Sequence, residues 1–321
     1  MINETLISTH NLSKQYAAPG NIFRVRLSER KAVDDVSLDI VRGEVLGLVG
    51  ESGCGKSTFG RMIVRLLSST SGNIIYNGID ITNSPVTKQL RRQTQIVFQD
   101  PYGSLNPWMS VYKLVSEPMK IHKLCPNSEI EGRVTTLLDK VGLSQVALNR
   151  YPHQLSGGQR QRLCIARALS VNPEFLLCDE PVSALDVSVQ SQILNLLLDL
   201  QRDMGLTYLF ISHSLAVIRN IADRVAVMYL GRIVEKSTAD DFFEAPAHPY
   251  SRMLLDSAPV PEIGHFKQRK TPISGEATFV GAPTSGCDYY LRCPYRAGIC
   301  AETKPELKDL GGGHCAACHA A

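Results

Sequence analysis

The residues whose types and spacing are best suited to chemistry are Gly50–Ser57, GESGCGKS, which fit G-x-x-x-x-G-K-S. Gly50, Gly53 and Gly55 let the backbone fold tightly enough for its N–H groups to surround phosphate oxygens, and the helix that follows adds its positive dipole end. Glu51, Ser52, Cys54 and Thr58 complete the phosphate-contacting stretch. Lys56 would reach the β and γ phosphates of a nucleotide, and the Ser57 hydroxyl would ligate Mg²⁺. Cys54 reads as a small residue tolerated in the loop, although a helix N-terminus beside it would lower its thiol pKa. A second group lies in EFLLCDE (174–180), where Asp179 and Glu180 sit side by side as an apolar strand leaves its sheet. One carboxylate can support Mg²⁺ while the other takes a proton from water.

These groups need a sheet to bring them to one edge, and the chain supplies the strands. VLGLVG (45–50), TQIVFQ (94–99), EFLLCDE (174–180), LTYLFISH (206–213) and RVAVMYLG (224–231) are β-rich runs, several of them apolar throughout, as strands covered on both faces are. Between them, the periodicity predicts a helix over 189–205, with Ile193, Leu194, Leu197, Leu198 and Met204 on one face and Gly205 as its C-cap. Residues of about 100–169 carry helical patterns and few strand signals, which reads as a helical insertion into an α/β body. Beyond Ala245 the chain is rich in proline and glycine without a long periodic run, which predicts a loop-rich tail able to bury little core.

Composition sets the outer bounds. A 321-residue chain that is 44% hydrophobic holds one large core or two modest ones. No stretch approaches the roughly 18 apolar residues of a membrane-spanning helix, and the opening MINETLISTHNLSKQY lacks the regions of a signal peptide. A membrane role would therefore come through a partner. A net charge of +3, spread along the chain, argues against nucleic acid. Nine cysteines without an export signal read as thiols or metal ligands, and five of them lie after Gly286.

LSGGQ (Leu155–Gln159), followed by RQRLCIARAL, resembles the signature of ABC ATPases. Companion motifs stand in that family's order: Gln99 resembles the Q-loop glutamine, Ser183–Asp186 the D-loop, His213 the switch histidine and Tyr16 the aromatic that stacks on adenine. The resemblance implies an ABC-type P-loop nucleotide-binding domain, an α/β fold with a mixed-sheet core and a helical subdomain, using ATP and Mg²⁺. It further implies Glu180 as the general base and Asp179 as a support for Mg²⁺ through a water. His213 would contact the γ-phosphate, and Gln99 would sense the metal and link to the membrane partner. Ser156, Gly157, Gly158 and Gln159 would close over ATP held by another subunit.

HPYSRMLLDSAP (His248–Pro259), QDPYGSLNP (Gln99–Pro107) and RYPHQLSGGQ resemble ATPases of the bacterial oligopeptide and dipeptide importers, and the long connection after Tyr16 resembles their second, F-type ATPase. That family implies a nucleotide-binding domain over 1–245 and an oligopeptide-transporter-type region over 246–321. Its partners would be two transmembrane permease subunits, a second homologous ATPase and an extracytoplasmic solute-binding protein, at the cytoplasmic face of the cell membrane. The implied cargo is a short peptide; close relatives import nickel, glutathione or other solutes. A soluble ABC protein acting in translation or DNA repair is the competing class, and the single P-loop, single LSGGQ and lack of a basic extension oppose it. Cys287, Cys293, Cys300 and Cys318 match a cysteine pattern of the family's C-terminal region, which implies a [4Fe-4S] cluster or a structural Zn²⁺. Their spacings, wider than C-x-x-C pairs, favour the cluster. Cys315 is a fifth candidate, with Cys318 preferred by resemblance, and free thiols in the tail are the remaining alternative.

Overall fold

The computed structural model describes residues 4–16, 30–257 and 285–321. The connection after Tyr16 and the end of the HPY segment, Ala258 and Pro259, fall outside the described residues. Twelve strands are present among them: β1 (Thr5–Tyr16), β2 (Arg30–Val41), β3 (Val45–Val49), β4 (Ser71–Tyr76), β5 (Ile79–Asp80), β6 (Thr94–Val97), β7 (Phe175–Asp179), β8 (Thr207–Ile211), β9 (Arg224–Tyr229), β10 (Arg232–Thr238), β11 (Lys308–Asp309) and β12 (Cys315–Ala316). They make a four-stranded antiparallel sheet, β2-β1-β4-β5, and an eight-stranded sheet, β11-β12-β10-β9-β3-β8-β7-β6. In the larger sheet β9, β3, β8, β7 and β6 run parallel, and β10, β12 and β11 extend it antiparallel.

The parallel strands are apolar throughout because both faces are covered, and alternate residues feed two separate cores. Val45, Leu176, Cys178, Tyr208 and Phe210 join the core shared with the helical insertion, where Leu114, Val134, Leu138, Leu163 and Ile165 are buried. Leu46, Leu48, Leu177, Leu209 and Ile211 face the other way, onto the helix Lys56–Ile63 and the four-stranded sheet. Each such side chain contributes about 1.5–3 kcal/mol by leaving water.

The insertion contains the helices Pro101–Ser104, Val111–Ile121, Asn127–Lys140 and Gly157–Leu169. The helix anticipated over 189–205 spans Val187–Met204, with Ile193, Leu194, Leu197 and Leu200 buried, and ends on Gly205 at φ 62°, a left-handed cap that glycine adopts without strain. Leu198 and Met204 are only partly buried.

The tail departs from expectation in one respect. Its described part, 285–321, is built of short elements joined by turns, yet it buries core. A helix spans Pro249–Ser257, and Tyr250, Tyr289 and Ala316 are almost wholly shielded. The cause is aromatic. Tyr229 at the end of β9 packs against Tyr250 and Tyr289 with ring centroids 4.6 and 5.3 Å away, and β12 pairs with β10. Glu235, fully buried, accepts the backbone N–H groups of Ala247 and His248 at 2.8 Å each and lies 2.8 Å from His314 Nε2. No helix among the described residues is long and apolar enough to cross a membrane.

Candidate functional site

Four parallel strands deliver their C-terminal ends to one edge of the large sheet, the edge at which ligands bind in open α/β folds. Gly50–Gly55 follows β3, Gln99 follows β6, Asp179 ends β7 with Glu180 just beyond it, and His213 follows β8. They border a cavity of about 520 Å³ lined by Ala32, Ser52, Gly53, Gly55, Lys56, Ser57, Thr58, Gln99, Glu180 and His213. The loop turns into the helix Lys56–Ile63 through Gly55 at φ 111°, where a Cβ would lie 2.1 Å from the Ala32 carbonyl oxygen. Only glycine fits there.

Lys56 is 5% exposed and donates from Nζ to the carbonyl oxygens of Gly50 (2.7 Å) and Glu51 (2.9 Å). Ser57 Oγ donates to Asp179 Oδ1 at 2.7 Å, and Arg61 lies 3.3 Å from the other oxygen of that buried carboxylate. A hydroxyl and a carboxylate held together at the start of a helix suit a divalent ion. Glu180 takes a left-handed backbone, φ 51°, uncommon for its residue type, with its N–H bonded to the Ile211 carbonyl. Its Oε2 accepts from Gln99 Nε2 at 3.0 Å and lies 3.2 Å from His213 Nδ1.

Cys54 behaves contrary to the expectation of a lowered pKa. Burial pushes its thiol up, and the Lys56 ammonium, 3.7 Å from Sγ, only partly offsets this. The helix end it adjoins does not outweigh desolvation.

Other candidate residues are not brought into this group. Tyr16, at the end of β1, is 47% exposed, with the Lys14 ammonium 5.5 Å from its ring centroid. Ser156 caps the helix Gly157–Leu169: its Oγ accepts the Gln159 N–H at 3.3 Å and its own N–H is held by Gln159 Oε1 at 3.0 Å. That helix start, exposed on the insertion, forms a second anion-suited edge separate from the first.

The tail cysteines gather. Cys287 N–H donates to the Cys300 carbonyl at 2.8 Å. Burial is the main cause that pushes Cys287 up to about 11, with Cys300 and Cys293 adding to it, and burial likewise raises Cys293, with Cys318 and Cys300 adding. The Cys318 thiol receives the Ala320 N–H, two positions on, at 3.4 Å. Cys315 instead donates to the Gly313 carbonyl at 3.7 Å. No group of three or more His, Cys, Asp or Glu side chains among the described residues is arranged to hold a metal ion.

Sequence reading assigned no role to Glu235, Tyr250 or Arg292, single polar residues on three separate segments, β10, the HPY segment and the cysteine-bearing tail. Both nitrogens of the Arg292 fork bond the Glu51 carboxylate at 2.8 Å, and Tyr250 accepts the Glu51 N–H at 2.8 Å.

Comparison with known proteins gives consistent matches. The ABC transporter family matches residues 33–183, and the C-terminal region of oligopeptide/dipeptide transporters matches residues 234–300. The oligopeptide transport ATP-binding protein AppF of Bacillus subtilis (strain 168) is 44% identical over 320 residues, covering 98% of this chain and 97% of the relative. A putative peptide import ATP-binding protein of Brucella ovis is 44% identical over 320 residues, covering 99% of this chain and 98% of the relative. Among solved structures, the dimeric post-hydrolysis state of the ATP-binding cassette MJ0796 bound to ADP and Pi superposes with a TM-score of 0.63 at 29% identity, over 73% of this chain and 98% of that one. CbiO1 of Clostridium perfringens, part of the transporter complex cbiONQ, gives 0.65 at 29% identity, over 75% and 92%.

Proposed function

This chain belongs to the ATP-binding proteins of ABC transporters that carry the oligopeptide/dipeptide transporter C-terminal region, and on that footing we propose that it hydrolyses ATP to power import of short peptides through separate transmembrane permease subunits. The observation that carries the catalytic part is the Gln99–Glu180–His213 group at the mouth of the cavity that Lys56 and Ser57 line. Glu180 orients the attacking water and accepts its proton, and the strained backbone at φ 51° aims its carboxylate into the cavity. His213 donates toward the γ-phosphate. Gln99, at the junction with the helical insertion, passes the state of the site to the permease. Lys56 leaves the carbonyls of Gly50 and Glu51 for the β and γ phosphates. Ser57 and Asp179, with Gln99, would hold Mg²⁺, which when bound draws charge from the phosphate oxygens.

Ser156–Gln159 acts on a second nucleotide. Because this edge opens on the insertion, it closes over ATP held by a homologous ATPase, so the working unit is a pair of cassettes at the cytoplasmic face of the membrane. An extracytoplasmic binding protein supplies the cargo. In the tail, Cys287, Cys293, Cys300 and Cys318 would hold a [4Fe-4S] cluster, whose four corners spread its ligands more widely than a single zinc ion does. The match to the oligopeptide/dipeptide transporter C-terminal region spans Cys287, Cys293 and Cys300, and the Cys287 N–H bonded to the Cys300 carbonyl draws two of the four together, which supports that reading.

The test is Glu180→Gln in the chain reconstituted with its permeases and partner ATPase in liposomes. It keeps ATP affinity and lowers turnover by about 10²- to 10⁴-fold, the contribution of a positioned base. Hydrolysis at the parental rate would remove Glu180 from the role. Stimulation by binding protein loaded with di- to pentapeptides establishes the cargo, and ATPase activity indifferent to every peptide would refute it.

A further inference from the structure

Glu51, inside the phosphate-binding loop, is held at all three of its polar groups. Its carbonyl accepts Lys56 Nζ at 2.9 Å, its N–H donates to the hydroxyl of the buried Tyr250 at 2.8 Å, and its carboxylate receives both arms of Arg292, each at 2.8 Å. Arg292 lies 241 residues further along the chain and is 12% exposed. Its guanidinium sits over the rings of Tyr229 and Tyr289, 5.9 and 5.8 Å from their centroids, which fixes the fork against β9 and the tail. A planar fork bound at two points to a carboxylate sets orientation as well as charge.

We propose that Arg292 is a positioning residue of the nucleotide site, acting through Glu51, so that the C-terminal segment 285–321 governs ATP affinity. The proposal rests on reading Gly50–Ser57 as the ATP site. Two effects combine. The fork holds the Glu51 side chain while Tyr250 holds its N–H, which fixes the turn of the loop that must receive the phosphates. It also neutralises a carboxylate that would otherwise stand unpaired in the loop receiving a highly charged anion. Neither Arg292 nor the Glu51 side chain touches Gln99, Glu180 or His213, so the consequence falls on binding and spares the chemical step.

The test measures ATP dissociation constant, kcat at saturating ATP and thermal midpoint for the full chain and its variants. Arg292→Met weakens ATP binding about tenfold, about 1.4 kcal/mol, with kcat within about twofold of the parent. Adding Glu51→Gln to Arg292→Met removes the unpaired carboxylate and recovers at least half of the loss on a logarithmic scale. A purely structural role would give no such recovery. Arg292→Lys, which keeps the charge without the fork, weakens binding about threefold and carries the test if Arg292→Met does not fold. A folded variant that binds ATP as the parent does, or two substitutions whose effects simply multiply, would overturn the proposal. Lys56→Ala separates the two readings: if it leaves ATP binding intact, the assignment of the nucleotide loop itself fails.

Discussion

Acid should unfasten the HPY segment, and the size of the effect follows from one side chain. His248 is 2% exposed, and its Nδ1 accepts the Tyr250 N–H at 3.0 Å. A ring nitrogen that accepts carries no proton, so the folded protein holds this histidine neutral. Burial lowers its pKa from 6.5 to about 4, with Glu235 opposing the shift and Arg252 adding to it. The unfolded chain takes up a proton near pH 6.5 and the folded chain only near 4. The stabilisation is therefore complete above pH 6.5, falls as pH drops through that window, and is exhausted below about 4. Between pH 7 and pH 5 the linkage removes about 2 kcal/mol. Urea denaturation of the chain at the two pH values, beside His248→Asn, isolates the term, because asparagine offers an acceptor to the same N–H and does not titrate. The parent should lose about 2 kcal/mol more than the variant over this interval. Equal losses would refute the reasoning, since every other titrating group is common to both proteins.

Gly55→Ala forces a Cβ to within 2.1 Å of the Ala32 carbonyl at a φ of 111°, whereas Gly53→Ala, at φ 75°, meets nothing within 4 Å. The first should cost several kcal/mol and abolish ATP binding and the second only the roughly 1–3 kcal/mol of backbone strain; equal shifts in thermal midpoint and nucleotide affinity would discount the clash. Anaerobically purified protein should carry four iron atoms per chain with visible absorption that Cys318→Ser removes and Cys315→Ser leaves, and colourless protein without iron would remove the cluster.

What could be read from the sequence was what is contiguous. Gly50–Ser57 is an eight-residue phrase, and the runs VLGLV, FLLCD and TYLFI announce buried parallel strands by composition alone. Once those strands are parallel, their loops must meet at one edge, which is why Asp179 and Glu180 could be grouped with Gly50–Ser57 before any coordinates, whereas Gln99 and His213 entered only through the resemblance to ABC ATPases. The antiparallel sheet was harder. β1 buries Leu6, Ile7 and Leu12, but register shifts against β2 interrupt its alternation, and Asn11 at φ 50° and Asp35 at φ 60° turn the backbone there. A strand with such breaks does not display a period of two.

The tail was opaque for a different reason. Tyr250 and Arg292 reach Glu51 across 199 and 241 residues, through a hydroxyl and a guanidinium whose partners no local pattern announces. Proline and glycine around them read as loop, and a loop that packs on three tyrosines has the same composition as one that does not. Arg292 stands next to Cys293 in the chain, and β12, which holds Cys315, is paired to β10 beside the fully buried Glu235. Arg292 thus ties the cysteine segment to the Gly50–Ser57 loop across 241 residues of chain, a contact that only the folded structure brings about.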